Sequence, residues 1–108
     1  MEGIVKFADL KLKKALAILK ETDKELYNQI DNAASTIQRN VFCGRRVKKT
    51  LIPKKLIEKY HINNLWIYNL PNAWRLLYSV SSPNKIELLA IVLDWMNHKD
   101  YEKLFRFT

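Results

Sequence analysis

The chain of 108 residues has little of what cross-links a protein, anchors it in a membrane or divides it into domains. Its single cysteine, Cys43, excludes an internal disulfide and has no partners at metal-ligand spacing, so we predict no metal site. No apolar run reaches the roughly 18 residues that cross a bilayer, and the start, MEGIVKFADLKLKK, lacks the apolar core of a signal peptide. Without repeats or linkers, the sequence predicts one cytoplasmic domain over residues 1–108, with no membrane contact.

Acidic residues are also scarce, since 11 of them face 19 lysines and arginines and leave a net charge of +8. Such a surplus on a small body attracts anionic partners, either nucleic acid or an acidic protein. The excess is densest in RRVKKTLIPKKLIEK, at residues 45–59, where Glu58 is the one acid. The candidate phosphate-binding residues in it are Arg45, Arg46, Lys48, Lys49, Lys54 and Lys55. A solvated face that keeps the protein soluble explains the same charges equally well.

The first half of the chain predicts a strand followed by two helices. GIVKFAD, at residues 3–9, favours a strand, and helical spacing of apolar residues predicts an amphipathic helix over Asp9 to Lys20. Thr22 and Glu25 have the spacing of a capping box, which predicts the start of a second helix. Gly44 is positioned to end that helix in a left-handed cap. We therefore expect a helix hairpin.

The second half predicts an antiparallel sheet. After a helical turn at KKLIEKYH (54–61), the segments NNLWIYNL (63–70) and AWRLLYSVSS (73–82) favour strands joined by a turn. IELLAIVLDW (86–95) is apolar on both alternating faces, as a covered central strand requires. NHKDYEKLFRF (97–107) predicts a short helix with Asn97 as its N-cap. The fold class is α+β, with an N-terminal strand, a helix hairpin packed on a small antiparallel sheet and a short C-terminal helix.

Arg75 is a fixed charge inside the apolar stretch LPNAWRLLYSV. Strand alternation directs four side chains towards the helix hairpin, namely Trp74, Leu76, Tyr78 and Val80. Arg75 then faces the open side of the sheet, where its guanidinium can bind a phosphate with two parallel hydrogen bonds. The alternative is that Arg75 pairs with Glu87 or Asp94 or reaches solvent, and the pattern alone favours that alternative.

Three parts of the sequence carry a family resemblance in addition to the order of elements. They are the aromatic-Arg-Leu-x-Tyr motif from Trp74 to Tyr78, the closing His98-x-x-Tyr101, and GRRVKKTLIP at residues 44–53. In order and spacing they resemble the RelE/ParE superfamily, the toxins of bacterial and archaeal toxin–antitoxin pairs. The resemblance covers nearly the whole chain.

The resemblance implies a toxin that an acidic, partly disordered antitoxin holds inactive. RelE-like members are endoribonucleases that cut messenger RNA, typically on the ribosome, and so inhibit translation without a metal or other cofactor. By this resemblance Arg75 stabilises the phosphate, His98 performs acid–base work, and Tyr101 stacks on a base or assists proton transfer. Residue by residue, the alternatives are that His98 is an exposed side chain and that Tyr101 packs against the core.

The sequence also departs from the RelE-like pattern. That branch carries lysines on the strand before its arginine, where this chain has Trp66, Ile67 and Tyr68. Its C-terminal arginine has no match near Trp95. Lysines of the basic segment can supply the charge instead, and Trp66 and Tyr68 can stack on bases if they face outward. Two alternatives therefore remain, a ParE-like inhibitor of DNA gyrase and a RelE-fold binding module with weakened or lost catalysis.

Overall fold

The predicted α+β architecture is confirmed by the computed structural model, which describes residues 1–106. Within those residues the elements are β1 (Ile4–Phe7), α1 (Leu10–Thr22), α2 (Lys24–Arg39), β2 (Arg45–Arg46), α3 (Lys54–Tyr60), β3 (Trp66–Asn69), β4 (Arg75–Ser81), β5 (Leu89–Met96) and α4 (His98–Arg106). Short 3₁₀ turns cover Lys49–Leu51 and Pro71–Ala73. Phe107, the last residue of the predicted terminal helix, lies outside the described residues.

The five strands among residues 1–106 form one sheet in the order β1-β5-β4-β3-β2. The predicted antiparallel run of β3, β4 and β5 is confirmed, and β2 extends it at one edge. At the other edge β1 runs parallel to β5, which makes the sheet mixed. Leu77 lies opposite Asp94 but Tyr78 lies opposite Val92, so β5 carries one extra residue, Leu93, at a bulge.

A single residue, Asp23, joins α1 to α2. Its carboxylate accepts a hydrogen bond from the backbone N–H of Leu26 at 3.2 Å and so caps α2. The capping box predicted from Thr22 and Glu25 is therefore wrong. Thr22 is the last residue of α1, where its hydroxyl donates to the carbonyl of Ile18 at 2.9 Å. The two helices contact each other across this one-residue junction and form the predicted helix hairpin.

Gly44 does not cap α2, because that helix ends earlier, with Asn40 as an extended C-cap. The predicted left-handed cap is therefore wrong, and Gly44 serves a close approach instead. A Cβ at this position would lie 2.7 Å from the hydroxyl of Tyr78 and 2.9 Å from the carbonyl of Ile67. The same hydroxyl accepts from the Gly44 N–H at 3.0 Å and donates to the carbonyl of Val41 at 2.8 Å. These contacts fix the chain where β2 begins.

The helix hairpin covers one face of the sheet, as predicted. The buried core on this side consists of Leu26, Ile30, Ala33, Ile37, Val41, Trp66, Leu70, Leu76, Tyr78, Ala90 and Val92. Its strand residues include Leu76 and Tyr78, which strand alternation assigns to the covered face. The long apolar stripe of α2, rather than α1, supplies the buried helix residues, since α1 has none that is fully buried.

The second face is not open, which corrects the prediction made for Arg75's side of the sheet. A second core packs there, made of Val47, Ile52, Leu56, Leu65, Ile67, Leu77 and Leu93. α3 and α4 cover it, and α4 contributes Tyr101, Leu104 and Phe105. The second apolar side of β5 therefore has a partner layer. Within residues 1–106, no helix has both the length and the apolar character needed to cross a membrane.

Candidate phosphate-binding site

Arg45, Arg75 and Tyr101 come together although they belong to β2, β4 and α4. Nη2 of Arg45 donates a hydrogen bond to the Tyr101 hydroxyl at 2.9 Å. The guanidinium carbon of Arg75 lies 5.3 Å from the centroid of the Tyr101 ring, within cation–π distance. We call these three residues the arginine–tyrosine cluster. It holds two positive charges on one aromatic side chain.

The pleat of the sheet explains why both arginines face α4. Arg45 lies opposite Ile67, which in turn lies opposite Leu77, and residues directly opposite one another share a face. Arg75 is two positions before Leu77 on the same strand, so it points to that face as well. α4 begins two residues after the residue that pairs with Arg75, Met96, and lies across the same face. Strand register thus brings distant arginines to one tyrosine.

Neither guanidinium of the cluster is neutralised by a carboxylate in the described part of the chain. Both ion pairs found among residues 1–106 involve Glu102 and stay within α4. The alternative in which Arg75 pairs with Glu87 or Asp94 is therefore wrong. Within the same residues, Arg75 makes one hydrogen bond, from Nη1 to the carbonyl of Trp74 at 3.2 Å. Its remaining N–H groups are available to an anionic ligand.

His98 is the first residue of α4, and Asn97 caps the helix as predicted, accepting from the Asp100 N–H at 2.9 Å. Nε2 of His98 lies 2.7 Å from a carboxylate oxygen of Glu102, and about half of each side chain is exposed. The described contact of His98 is thus with its own helix and not with the cluster. Tyr101 follows three positions later, so the two side chains neighbour each other on the helix surface.

The basic segment does not form one continuous patch, because β2 directs its two arginines to opposite faces. The guanidinium carbon of Arg46 lies 5.7 Å from the ring centroid of Trp66, on the helix-hairpin side. The four lysines of the segment that are candidate phosphate-binding residues are exposed: Lys48, Lys49, Lys54 and Lys55. Of the six candidate phosphate-binding residues in the segment, Arg45 alone has a described contact with the cluster.

The aromatic residues proposed as a stacking surface pack inward instead. Trp66 is 9% exposed, since Phe42 and Tyr78 lie against its ring with centroids at 5.4 and 6.3 Å. Tyr68 is half-buried against the same core. The possibility that both serve as outward platforms for bases is therefore wrong.

A cleft between α3 and α4 was not predicted. It has a volume of about 730 Å³ and is lined by Lys54, Lys55, Glu58, Asp94, Trp95, Met96, Asp100, Lys103 and Leu104. We call it the α3–α4 cleft. Asp94 is its half-buried acid, and burial raises the pKa of this carboxyl against the opposing effect of the Trp95 N–H. The one available signal was a lone acid in the apolar segment IELLAIVLDW.

The carboxylates of the cleft do not form a metal site. Among residues 1–106, no group of three or more histidine, cysteine, aspartate or glutamate side chains is arranged to hold a metal ion.

Comparisons with protein-family models, curated proteins and solved structures found no match to the chain. The chemistry of both sites therefore has to be inferred from their geometry.

Proposed function

We propose that this protein is a RelE-like toxin of a toxin–antitoxin pair and acts in the cytoplasm as a metal-independent endoribonuclease on messenger RNA. The observation that supports it is the arginine–tyrosine cluster. Arg45 donates to the Tyr101 hydroxyl and the Arg75 guanidinium lies over the Tyr101 ring, and neither arginine has a carboxylate partner among the described residues. Unpaired guanidiniums that converge on one point favour a phosphate.

The proposed reaction is attack of a ribose 2′-hydroxyl on the adjacent phosphorus. The P–O5′ bond breaks, leaving a 2′,3′-cyclic phosphate on one fragment and a 5′-hydroxyl on the other. The phosphorane formed on the way carries extra negative charge on its equatorial oxygens. Arg45 and Arg75 stabilise that charge, which is the role of the strand lysines that this chain lacks.

The proton transfers are assigned to α4. Because the Tyr101 hydroxyl already accepts from Arg45, its own proton can be donated to the leaving 5′-oxygen. When His98 carries its ring proton on Nε2, where Glu102 can accept it, Nδ1 is an acceptor for the 2′-hydroxyl proton. Both residues begin α4, so RNA laid along its first turn meets acid and base together.

The decisive experiment incubates purified protein with a defined messenger RNA in the presence of EDTA and maps the cut ends. We expect 2′,3′-cyclic phosphate ends, and Arg75→Ala should reduce the cleavage rate by about 10²-fold or more, as loss of a transition-state charge partner does. Arg45→Ala should act similarly. Arg46→Ala is the matched control, since its side chain lies on the opposite face. Intact transcripts while expression arrests growth would count against the ribonuclease, and inhibition of DNA supercoiling would favour the ParE-like alternative.

One observation favours a second candidate, a binding module that keeps the fold but has weak catalysis. The described contact of His98 is with Glu102 and not with the cluster, so no described contact joins the proposed base to the two arginines. In this case the arginines would serve mainly to bind an acidic, partly disordered antitoxin. A tight complex with the product of a neighbouring gene, combined with no toxicity and no cleavage, would support this candidate.

A further inference from the structure

The α3–α4 cleft lies beside the arginine–tyrosine cluster, on the other side of α4. Asp100, Lys103 and Leu104 face the cleft, whereas Tyr101 faces Arg45 and Arg75. Its volume of about 730 Å³ is in the range of sites that hold a small organic ligand. The cleft is therefore large enough to act as a separate site.

The rim of the cleft carries three ammonium groups from two helices. Lys54 and Lys55 belong to α3 and Lys103 belongs to α4, and all three side chains are exposed. Among residues 1–106 none of them forms an ion pair within 4.0 Å, since the two pairs found there join Glu102 to His98 and to Arg106. Ammonium groups on flexible stems bind phosphate as point charges. The rim is suited to the anionic part of a ligand.

Asp94 supplies a different chemistry deeper in the cleft. It is half-buried on β5, and Oδ1 accepts the N–H of Trp95 at 2.9 Å. Within the described residues Oδ2 has no hydrogen bond, and no cation lies within 4.0 Å of the carboxylate. Met96 and Leu104 add apolar surface beside it. An acceptor next to apolar walls suits a flat ring that carries N–H donors.

The charges of the lining balance, since Glu58 and Asp100 join Asp94 against the three lysines. A bare inorganic anion gains little from a neutral lining. A nucleotide, in contrast, offers phosphate to the lysines, ribose hydroxyls to the rim carboxylates and base N–H groups to Asp94. Lysines at the rim and the Asp94 acceptor deeper in the cleft therefore suit a ligand that carries both an anionic group and hydrogen-bond donors.

We propose that the α3–α4 cleft binds a guanine nucleotide, with its base on Asp94 and its phosphate on Lys54, Lys55 and Lys103. Guanine presents two adjacent donors, N1–H and the 2-amino group, which match the two oxygens of a carboxylate. Adenine and cytosine place an acceptor beside their one donor group, and uracil places its N–H between two carbonyls. A carboxylate is repelled by each of these acceptors. The proposal does not depend on ribonuclease activity, because the cleft and the cluster share no residue.

The test titrates the full chain with GMP, AMP, CMP, UMP and guanosine, following backbone amide resonances by NMR. GMP should bind at least tenfold more tightly than the other three nucleotides, with the largest shifts at Asp94 and Lys103. Asp94→Asn should abolish the preference, whereas Asp31→Asn, an exposed acid on α2, should keep it. Lys103→Ala should weaken GMP binding about tenfold and leave guanosine unchanged, and Lys99→Ala is its control on the same helix.

Equal affinity for all four nucleotides, no shift at about 1 mM GMP, or an unchanged preference in Asp94→Asn would overturn the proposal. A single-stranded oligonucleotide with one guanine separates the two possible sources of the ligand. If it binds more tightly than GMP and than its adenine counterpart, the ligand is an RNA residue. If GMP binds at least as well, the ligand is a free nucleotide. Arg75→Ala should leave GMP binding intact while it reduces RNA cleavage. Failure of this proposal is thus seen in GMP binding, and failure of the ribonuclease proposal is seen in RNA cleavage.

Discussion

Replacing Gly44 with alanine is expected to destabilise the fold through one buried hydroxyl. The new Cβ would lie 2.7 Å from the Tyr78 hydroxyl, 2.9 Å from the Ile67 carbonyl and 3.0 Å from Cε1 of Tyr78. None of these neighbours can move away easily, since Tyr78 is 0% exposed and Ile67 is 1% exposed. Burial also raises the pKa of Tyr78, so the hydroxyl stays neutral and keeps its proton to donate.

The magnitude follows from two costs. Overpacking a rigid core costs about 1–3 kcal/mol, and displacing the hydroxyl weakens hydrogen bonds worth about 1 kcal/mol each. We therefore expect Gly44→Ala to lower the free energy of unfolding by about 2–4 kcal/mol. For a domain of this size, that corresponds to a melting temperature lower by about 10 °C or more.

A double-mutant cycle with Tyr78→Phe isolates the contact. Alone, Tyr78→Phe should cost about 1–3 kcal/mol, because it leaves the Val41 carbonyl and the Gly44 N–H without their partner. In the double variant the shortest contact disappears with the hydroxyl. The loss of unfolding free energy in the double variant should therefore be smaller than the sum of the two single losses by about 1 kcal/mol.

Urea unfolding, followed by circular dichroism, measures all four corners of the cycle. Tyr68→Phe is the matched control, since the Tyr68 hydroxyl has no described hydrogen bond, and it should change stability by less than about 0.5 kcal/mol. Additive costs in the cycle, or a Gly44→Ala variant as stable as the parent, would refute the proposed close approach.

Three further expectations concern the caps, the cleft and the cluster. Asp23→Ala should cost about 1 kcal/mol in urea unfolding and Thr22→Ala clearly less, because Asp23 is the N-cap of α2; equal costs would restore the capping box. Burial raises the pKa of Asp94 above 3.8, so its proton stabilises the folded state at low pH, and this stabilisation is lost as pH rises through the raised value. Asp94→Asn should therefore become more stable relative to the parent as pH rises from about 4 through the raised pKa, and parallel curves of melting temperature against pH would contradict this. Tyr101→Phe keeps the ring beside Arg75 but removes the hydroxyl. RNA cleavage should therefore fall while RNA binding changes less than about twofold. Equal losses of cleavage and binding would contradict the assigned proton transfer.

The periodicity of the sequence predicted the elements of the fold because that signal is local. The helical repeat of Leu26, Ile30 and Ile37 and the alternation through Leu76 and Tyr78 correspond to the first core. The position of the cap was missed because Thr22 and Asp23 are both good N-caps and only the tertiary turn decides between them. Such competition between neighbours cannot be resolved from residue types.

The candidate site was predicted in part. The phase of Arg75 followed from strand alternation, but its contact with Tyr101 depends on how α4 crosses the sheet. Arg45 and Tyr101 are 56 positions apart, and no local pattern encodes their hydrogen bond. The covering of the second face was missed because α3 and α4 are short and each shows few apolar positions. The α3–α4 cleft exists only once those helices are placed.

The parallel pairing of β1 with β5 has a consequence for the order in which the chain can fold. Ile4 pairs with Leu89, so the first strand cannot find its neighbour until nearly the whole chain is available. Closing so long a loop costs conformational entropy, and local contacts formed early in folding do not offset that cost. Folding is therefore slower. The helix hairpin can form during synthesis, whereas the sheet must wait for β5 and the arginine–tyrosine cluster must wait for α4. A ribosome that stalls before residue 89 therefore carries a chain with neither a closed sheet nor a site.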